Sequence, residues 1–211
     1  MKALTGMYQG EKFNSISHLV GASLVVIGAS VLITIAAFTG DAWKIVSSSV
    51  YSLTLLLLYL FSTLYHSIRG RAKEVLQKFD HCMIYLLIAG SYTPFTLVTL
   101  RGTTGWILFG IVWGLALIGI VQELWFSNEA RIASLVIYIL MGWSVLLFIK
   151  PLIAALGLHG FYWLAAGGII YSVGVIFYVI DERMKHAHGI WHLFVLGGSI
   201  CHFVTVAGYV I

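Results

Sequence analysis

Charge is what this chain has least of. Only 9% of its 211 residues are Asp, Glu, Lys or Arg, against 60% hydrophobic, whereas a soluble domain carries about 25% charged residues. That excludes an ordinary water-soluble fold and marks a polytopic membrane protein. Cysteine is scarce too. Cys82 and Cys201 both lie in apolar segments without a Cys-x-x-Cys spacing, which argues against a disulfide framework and a thiolate metal site. No polar break is long enough for a separate soluble domain, and there is no linker, low-complexity tract or clear internal repeat. The net charge of +4 comes without a basic stripe interleaved with aromatics, so nucleic-acid binding is not indicated. The basic residues sit in short loops, where they report membrane orientation.

A spanning helix needs roughly 20 apolar residues. Seven stretches qualify, at about 16–38, 43–66, 80–100, 105–125, 132–149, 160–180 and 190–211, parted by short breaks that include KP and LGLHG. The chain is therefore expected to be one all-α domain over 1–211, a seven-transmembrane-helix bundle. The first stretch reads as a span rather than a signal peptide, being long for a signal core and opening on Asn14, Ser17 and His18. With a cytoplasmic N-terminus, Lys2, Lys12, Arg69, Arg71, Lys73, Lys78, Arg131, Arg183 and Lys185 fall inside and Lys44, Arg101 and Lys150 outside. This positive-inside bias puts the C-terminus outside. Pro94 in SYTPF removes one backbone bond and crowds the Gly90 carbonyl. A kink is expected there, with Ser91 or Thr93 satisfying the freed groups.

On this topology the polar residues gather at one end. His18 opens the first span, His66 closes the second, Asp80 and His81 open the third, and HAHGIWH at 186–192 opens the last. All fall near the cytoplasmic side. His188 and His192 are i and i+4, on one helical face, the spacing by which one helix gives two nitrogens to one metal. Ser62 and His66 share the same spacing. Nitrogens from His66, His188 and His192 leave a tetrahedral zinc one open position, the pattern of a catalytic site. Ser62 and Asp80 at the same depth strengthen this, because buried polar groups in a membrane need partners. His159 and His186 read as headgroup anchors or carbonyl donors, and His202 as a core hydrogen bonder. His18 and Asn14 either bond groups behind the ligands or cap the first helix.

At these residues the chain resembles the hemolysin III branch of the progestin and adipoQ receptor (adiponectin receptor-like) family, related to the alkaline ceramidases. The segments are EKFNSISH at 11–18, STLYH at 62–66, FDH at 79–81, AGSYTPF at 89–95 and HGIWH at 188–192. The short N-terminal segment suits the bacterial-type branch, and with it the plasma membrane. The resemblance implies that His66, His188 and His192 bind Zn2+, with Ser62 and Asp80 close by and Asp80 contacting zinc-bound water. It also implies hydrolysis of a lipid amide, as in the ceramidases.

The expected function is therefore zinc-dependent hydrolysis of a membrane-lipid amide or ester. Asp80 would move the proton, and Ser62 would bond the water or the developing oxyanion. Three other readings stand beside it. The zinc could be structural, with Asp80 completing its shell; the protein could be a membrane sensor or receptor; or it could be cytolytic, as the family name implies. Against the last two, the chain has neither a sizeable extramembrane domain nor an amphipathic pore-forming segment.

Overall fold

A computed structural model of the chain describes residues 10–126 and 131–211. Lys2 of the expected inner charge set, and residues 127–130 of the FSNEAR break, lie outside them. The described residues are all-helical: α1 (Glu11–Phe38), α2 (Ala42–Ser67), α3 (Arg71–Pro94), a π-helical turn (Phe95–Thr99), α4 (Thr103–Phe126), α5 (Arg131–Trp143), a 3-10 turn (Ser144–Phe148), α6 (Ile149–Val179) and α7 (Ala187–Tyr209). Six helical stretches among them are long and apolar enough to cross a membrane.

One of the six, Ile132–Val179, runs 48 residues. A straight helix of that length would measure about 72 Å, more than twice a hydrocarbon core. It is not straight. Gly157 sits at φ 68 and ψ 170 inside it, a backbone state that a side chain disfavours. The spans expected at 132–149 and 160–180 fall on either side of this break. The KP pair is not a break, as Lys150 and Pro151 lie in the first turn of α6, where a proline has no intrahelical bond to remove.

α3 begins at Arg71, nine residues before its expected start at 80. RAKEVLQKFD contains no glycine or proline and is rich in good helix formers, so the helix continues beyond its apolar part. Pro94 ends α3 and opens the π-helical turn, a common way to absorb a lost helical bond. The hydroxyls nearby bond other carbonyls than expected: Ser91 donates to Ile88 O at 2.8 Å and Thr93 to Ala89 O at 3.0 Å. Asp41 caps α2, accepting from the Trp43 amide at 2.8 Å, and pairs with Arg101 at 3.1 Å.

The packing suits lipid as solvent. Ile27, Val31, Leu117 and Ile176 point outward, while Tyr51, Tyr59, Tyr85, Ser48, Thr54 and His192 are buried. With apolar surroundings on both sides of each helix, close approach and hydrogen bonds do much of the sorting of faces. Tyr59 OH donates to Ser199 Oγ at 2.8 Å, joining α2 to α7, and Ser15 meets Ser67 at 2.8 Å, joining α1 to α2. This arrangement brings the first turns of α1 and α7 and the last turn of α2 to one end of the bundle.

Candidate metal centre

His66 is in the last turn of α2 and His188 and His192 are in the first turns of α7. Their rings form a nearly equilateral triangle, with centroids 5.1 Å apart for His66–His188, 5.0 Å for His66–His192 and 4.9 Å for His188–His192. One ligand nitrogen from each lies within 4.8 Å of the others. The i, i+4 pair from one helix and a single histidine from another thus converge as their spacing suggests.

The same nitrogen of each ring is already engaged. His66 Nδ1 meets the Glu11 carboxylate, His188 Nδ1 bonds Asp181 Oδ2 at 3.0 Å, and His192 Nδ1 bonds the Asn14 carbonyl at 3.0 Å. Ser17 Oγ lies 3.2 Å from that last nitrogen. Each ring therefore has Nε2 left. His66 Nε2 is buried without a hydrogen-bond partner, as is the Ser62 hydroxyl one turn earlier. An orphaned imidazole nitrogen in a membrane protein is costly unless something occupies it. Imidazoles braced at Nδ1 by carboxylates or a carbonyl are how metal-binding histidines are held. The residues fit a metal ion.

The triangle stands between two different spaces. On one side is a mostly apolar cavity of about 150 Å³, lined by His188, His192, Ser62, Asp80 and His18 among aliphatic and aromatic side chains. On the other is a polar vestibule of about 1000 Å³, lined by His66, His188, Glu11 and Asp181. His188 faces both. Asp80 is 8% exposed and lines the cavity only.

Comparison with known proteins agrees with the family-like segments. The family model for haemolysin-III-related proteins matches residues 7–203. The chain belongs to that family. Hemolysin-3 of Bacillus cereus is 46% identical over all of this chain and 96% of its own length. The Hemolysin-3 homolog of Bacillus subtilis (strain 168) is 47% identical over 93% of this chain and 92% of its own. A more distant relative is the human monocyte to macrophage differentiation factor, 29% identical over 80% of this chain and 72% of its own.

The other histidines of this haemolysin-III-related chain do different things. His18 is neither a cap nor a hydrogen bonder. It stacks on His192 with centroids 3.6 Å apart and planes 9° from parallel, its edge toward Tyr59, and both its nitrogens are unpartnered. Asn14 braces His192 with its main chain, while its side chain donates to Glu11 Oε2 at 3.3 Å. His81 turns away to pair with the buried Glu123 at 2.8 Å, which Ser134 also holds. His186 is exposed, at φ 65 where α7 starts. His159 is exposed beside the Gly157 break. His202 lines the cavity and turns toward the Leu164 backbone of α6, the neighbouring-helix contact expected of it, though with a geometry short of a well-formed hydrogen bond.

Three carboxylates escaped the sequence reading: Glu11, Asp181 and Glu123. Glu11 had a usable signal. It stands at i, i+3 and i+7 with Asn14 and His18, one face of α1. Asp181 and Glu123 had none, because a loop separates the first from His188 and a different helix carries the second.

Proposed function

We propose that this protein is a zinc-dependent hydrolase of a membrane-lipid amide or ester. It would work in a bacterial plasma membrane, with seven spans and a cytoplasmic N-terminus. The observation that carries the reading is His188 at the junction of an apolar cavity and a polar vestibule, with Asp80 and Ser62 on the cavity side. A lipid has that same division. Its hydrocarbon part suits the cavity, its headgroup the vestibule, and the bond between them falls at the histidines. The seven-span topology is supported by the Gly157 break within the 48-residue stretch and by the positive-inside bias.

His66, His188 and His192 would hold the zinc. Bound there, it supplies Lewis acidity and an acidified water. Asp80 takes a proton from the attacking water and returns it to the departing nitrogen or oxygen. One carbon–oxygen bond forms, the amide or ester bond breaks, and the products are a fatty acid and an amine or alcohol. The Ser62 hydroxyl, which has no protein partner, donates to the carbonyl oxygen as negative charge builds on it. The apolar walls exclude bulk water and hold the chain in register.

Asp80→Asn tests this, because it keeps the shape and removes the base. Zinc content and melting temperature should hold while turnover on a panel of lipid amides and esters falls by roughly two to four orders of magnitude. Loss of zinc and stability instead would make Asp80 a ligand of a structural zinc and favour a sensor or receptor. A second reading comes from the name of the Bacillus cereus relative, Hemolysin-3. If it describes this chain's role, purified wild type and His188→Ala should both lyse erythrocytes while the lipid panel stays intact.

A further inference from the structure

α1 reaches the metal centre without giving it a ligand. Within two turns Glu11 meets His66 Nδ1, the Asn14 carbonyl takes His192 Nδ1, and His18 stacks on His192. Glu11 is the charged member of the set. Its Oε2 faces His66 and Asn14, and its Oε1 accepts from Lys73 Nζ at 2.8 Å. Lys73 also donates to the Tyr65 carbonyl at 2.8 Å and lies 4.1 Å over the Tyr65 ring. Tyr65 directly precedes His66. Lys73 of α3 therefore ties a carboxylate of α1 to the turn of α2 that carries the ligand. Each side chain of the Glu11–Lys73 pair is only 16% exposed, so both charges have given up much of their water.

We propose that Glu11 is the positioning carboxylate of the metal centre, and that Lys73 acts on the metal chiefly through Glu11. The inference rests on the metal-binding reading and goes beyond it, placing control of affinity on a helix that supplies no ligand. A neutral imidazole has one N–H, and the hydrogen bond it makes decides which nitrogen carries it. A carboxylate at Nδ1 holds the proton there and leaves the Nε2 lone pair for the metal. Its negative charge also makes that lone pair more basic. A neutral acceptor at the same place does the first but not the second.

The test uses the full chain in detergent micelles. It reads Zn2+ affinity by competition with a chromophoric chelator, the Co2+ absorption spectrum and the melting temperature of the metal-free protein. Glu11→Gln keeps a hydrogen-bond acceptor without the charge, and Glu11→Leu removes both. Each should weaken Zn2+ binding by about ten- to a hundredfold, with Glu11→Asp recovering part of the loss. Glu11→Leu should also change the Co2+ spectrum. In the Lys73→Met background, where no ammonium is left unpaired, Glu11→Gln should not lower the metal-free melting temperature yet should still weaken Zn2+ binding, which a merely structural role for Glu11 would not do. Lys73→Met should weaken binding less, and most of its effect should vanish in the Glu11→Leu background, leaving what its bond to the Tyr65 carbonyl contributes. If Glu11→Leu does not fold, Glu11→Gln carries the test by itself and Lys73→Met is read in that background. Wild-type affinity in Glu11→Gln overturns the inference alone, and an equal Lys73→Met effect in both backgrounds overturns the part given to Lys73. A wild type that binds neither Zn2+ nor Co2+ overturns the metal-binding reading and this inference with it.

Discussion

Gly189 lies between the two histidines of α7, and adding one methyl group there should disturb the metal centre from behind. A Cβ at Gly189 would lie 2.1 Å from Phe13 Cδ1, 2.5 Å from Phe13 Cε1 and 2.9 Å from Asn14 Oδ1. Carbon atoms pack best at about 3.5–4.0 Å, so either the Phe13 ring swings aside or the first turn of α1 withdraws by about 1.5 Å. Rotating the Phe13 ring relieves two of these contacts but not the one to Asn14. Asn14 also holds His192 Nδ1 through its carbonyl at 3.0 Å, and a hydrogen bond lengthened by an ångström is lost. Gly189→Ala should therefore cost about 1–3 kcal/mol of stability, the scale of overpacking. In a chain of this length that lowers the melting temperature by about 2–4 °C per kcal/mol. Zinc affinity should fall with it, by about the ten- to hundredfold that losing such a supporting bond costs. The assay is a double-mutant cycle with Phe13→Ala, read by thermal melting and chelator competition. Removing the ring should restore most of the stability, while the Asn14 contact keeps part of the affinity loss. Wild-type melting and affinity in Gly189→Ala would refute the packing argument, and strictly additive effects of the two substitutions would refute the role given to Phe13.

Elemental analysis should find about one zinc per chain in the wild type and little in His66→Ala, His188→Ala or His192→Ala, while His159→Ala keeps it; full retention in all three removes the ligand assignment. Gly157→Ala forces a side chain into a left-handed conformation and should destabilise by about 1–2 kcal/mol. Gly110→Ala, inside α4 with open space where the Cβ would go, should be neutral or stabilising, and equal melts for the two variants would contradict the break at Gly157. Single cysteines placed within 71–78 should label from the cytoplasmic side, and one at Ile211 from outside. Cys82 and Cys201 are buried and give little background, and the reverse pattern would turn the bundle over.

Much of this architecture could be read along the chain because it is local. The apolar runs mark the helices, since a backbone in lipid must satisfy its own polar groups within each segment. The spacing of His188 and His192 puts them on one face of α7, and the family-like segments from EKFNSISH to HGIWH span nearly the whole molecule. The misplaced boundaries also have local causes. Hydropathy marks where a helix is greasy, not where its hydrogen bonds stop, so α3 continues down to Arg71 and KP stays inside α6, while the break within LGLHG is found at Gly157.

What only the tertiary structure decided is how each imidazole is held. His66 finds Glu11 across 55 residues of sequence and His192 finds Asn14 across 178. His18, open in sequence to a capping or a bonding role, takes neither and stacks on the His192 ring. His81, beside Asp80 in the chain, points to Glu123 on another helix. A sequence pattern sets which way a residue faces on its own helix. The nitrogen that an imidazole leaves free depends on what faces it from the next helix, and only the packed bundle brings that group within hydrogen-bonding distance.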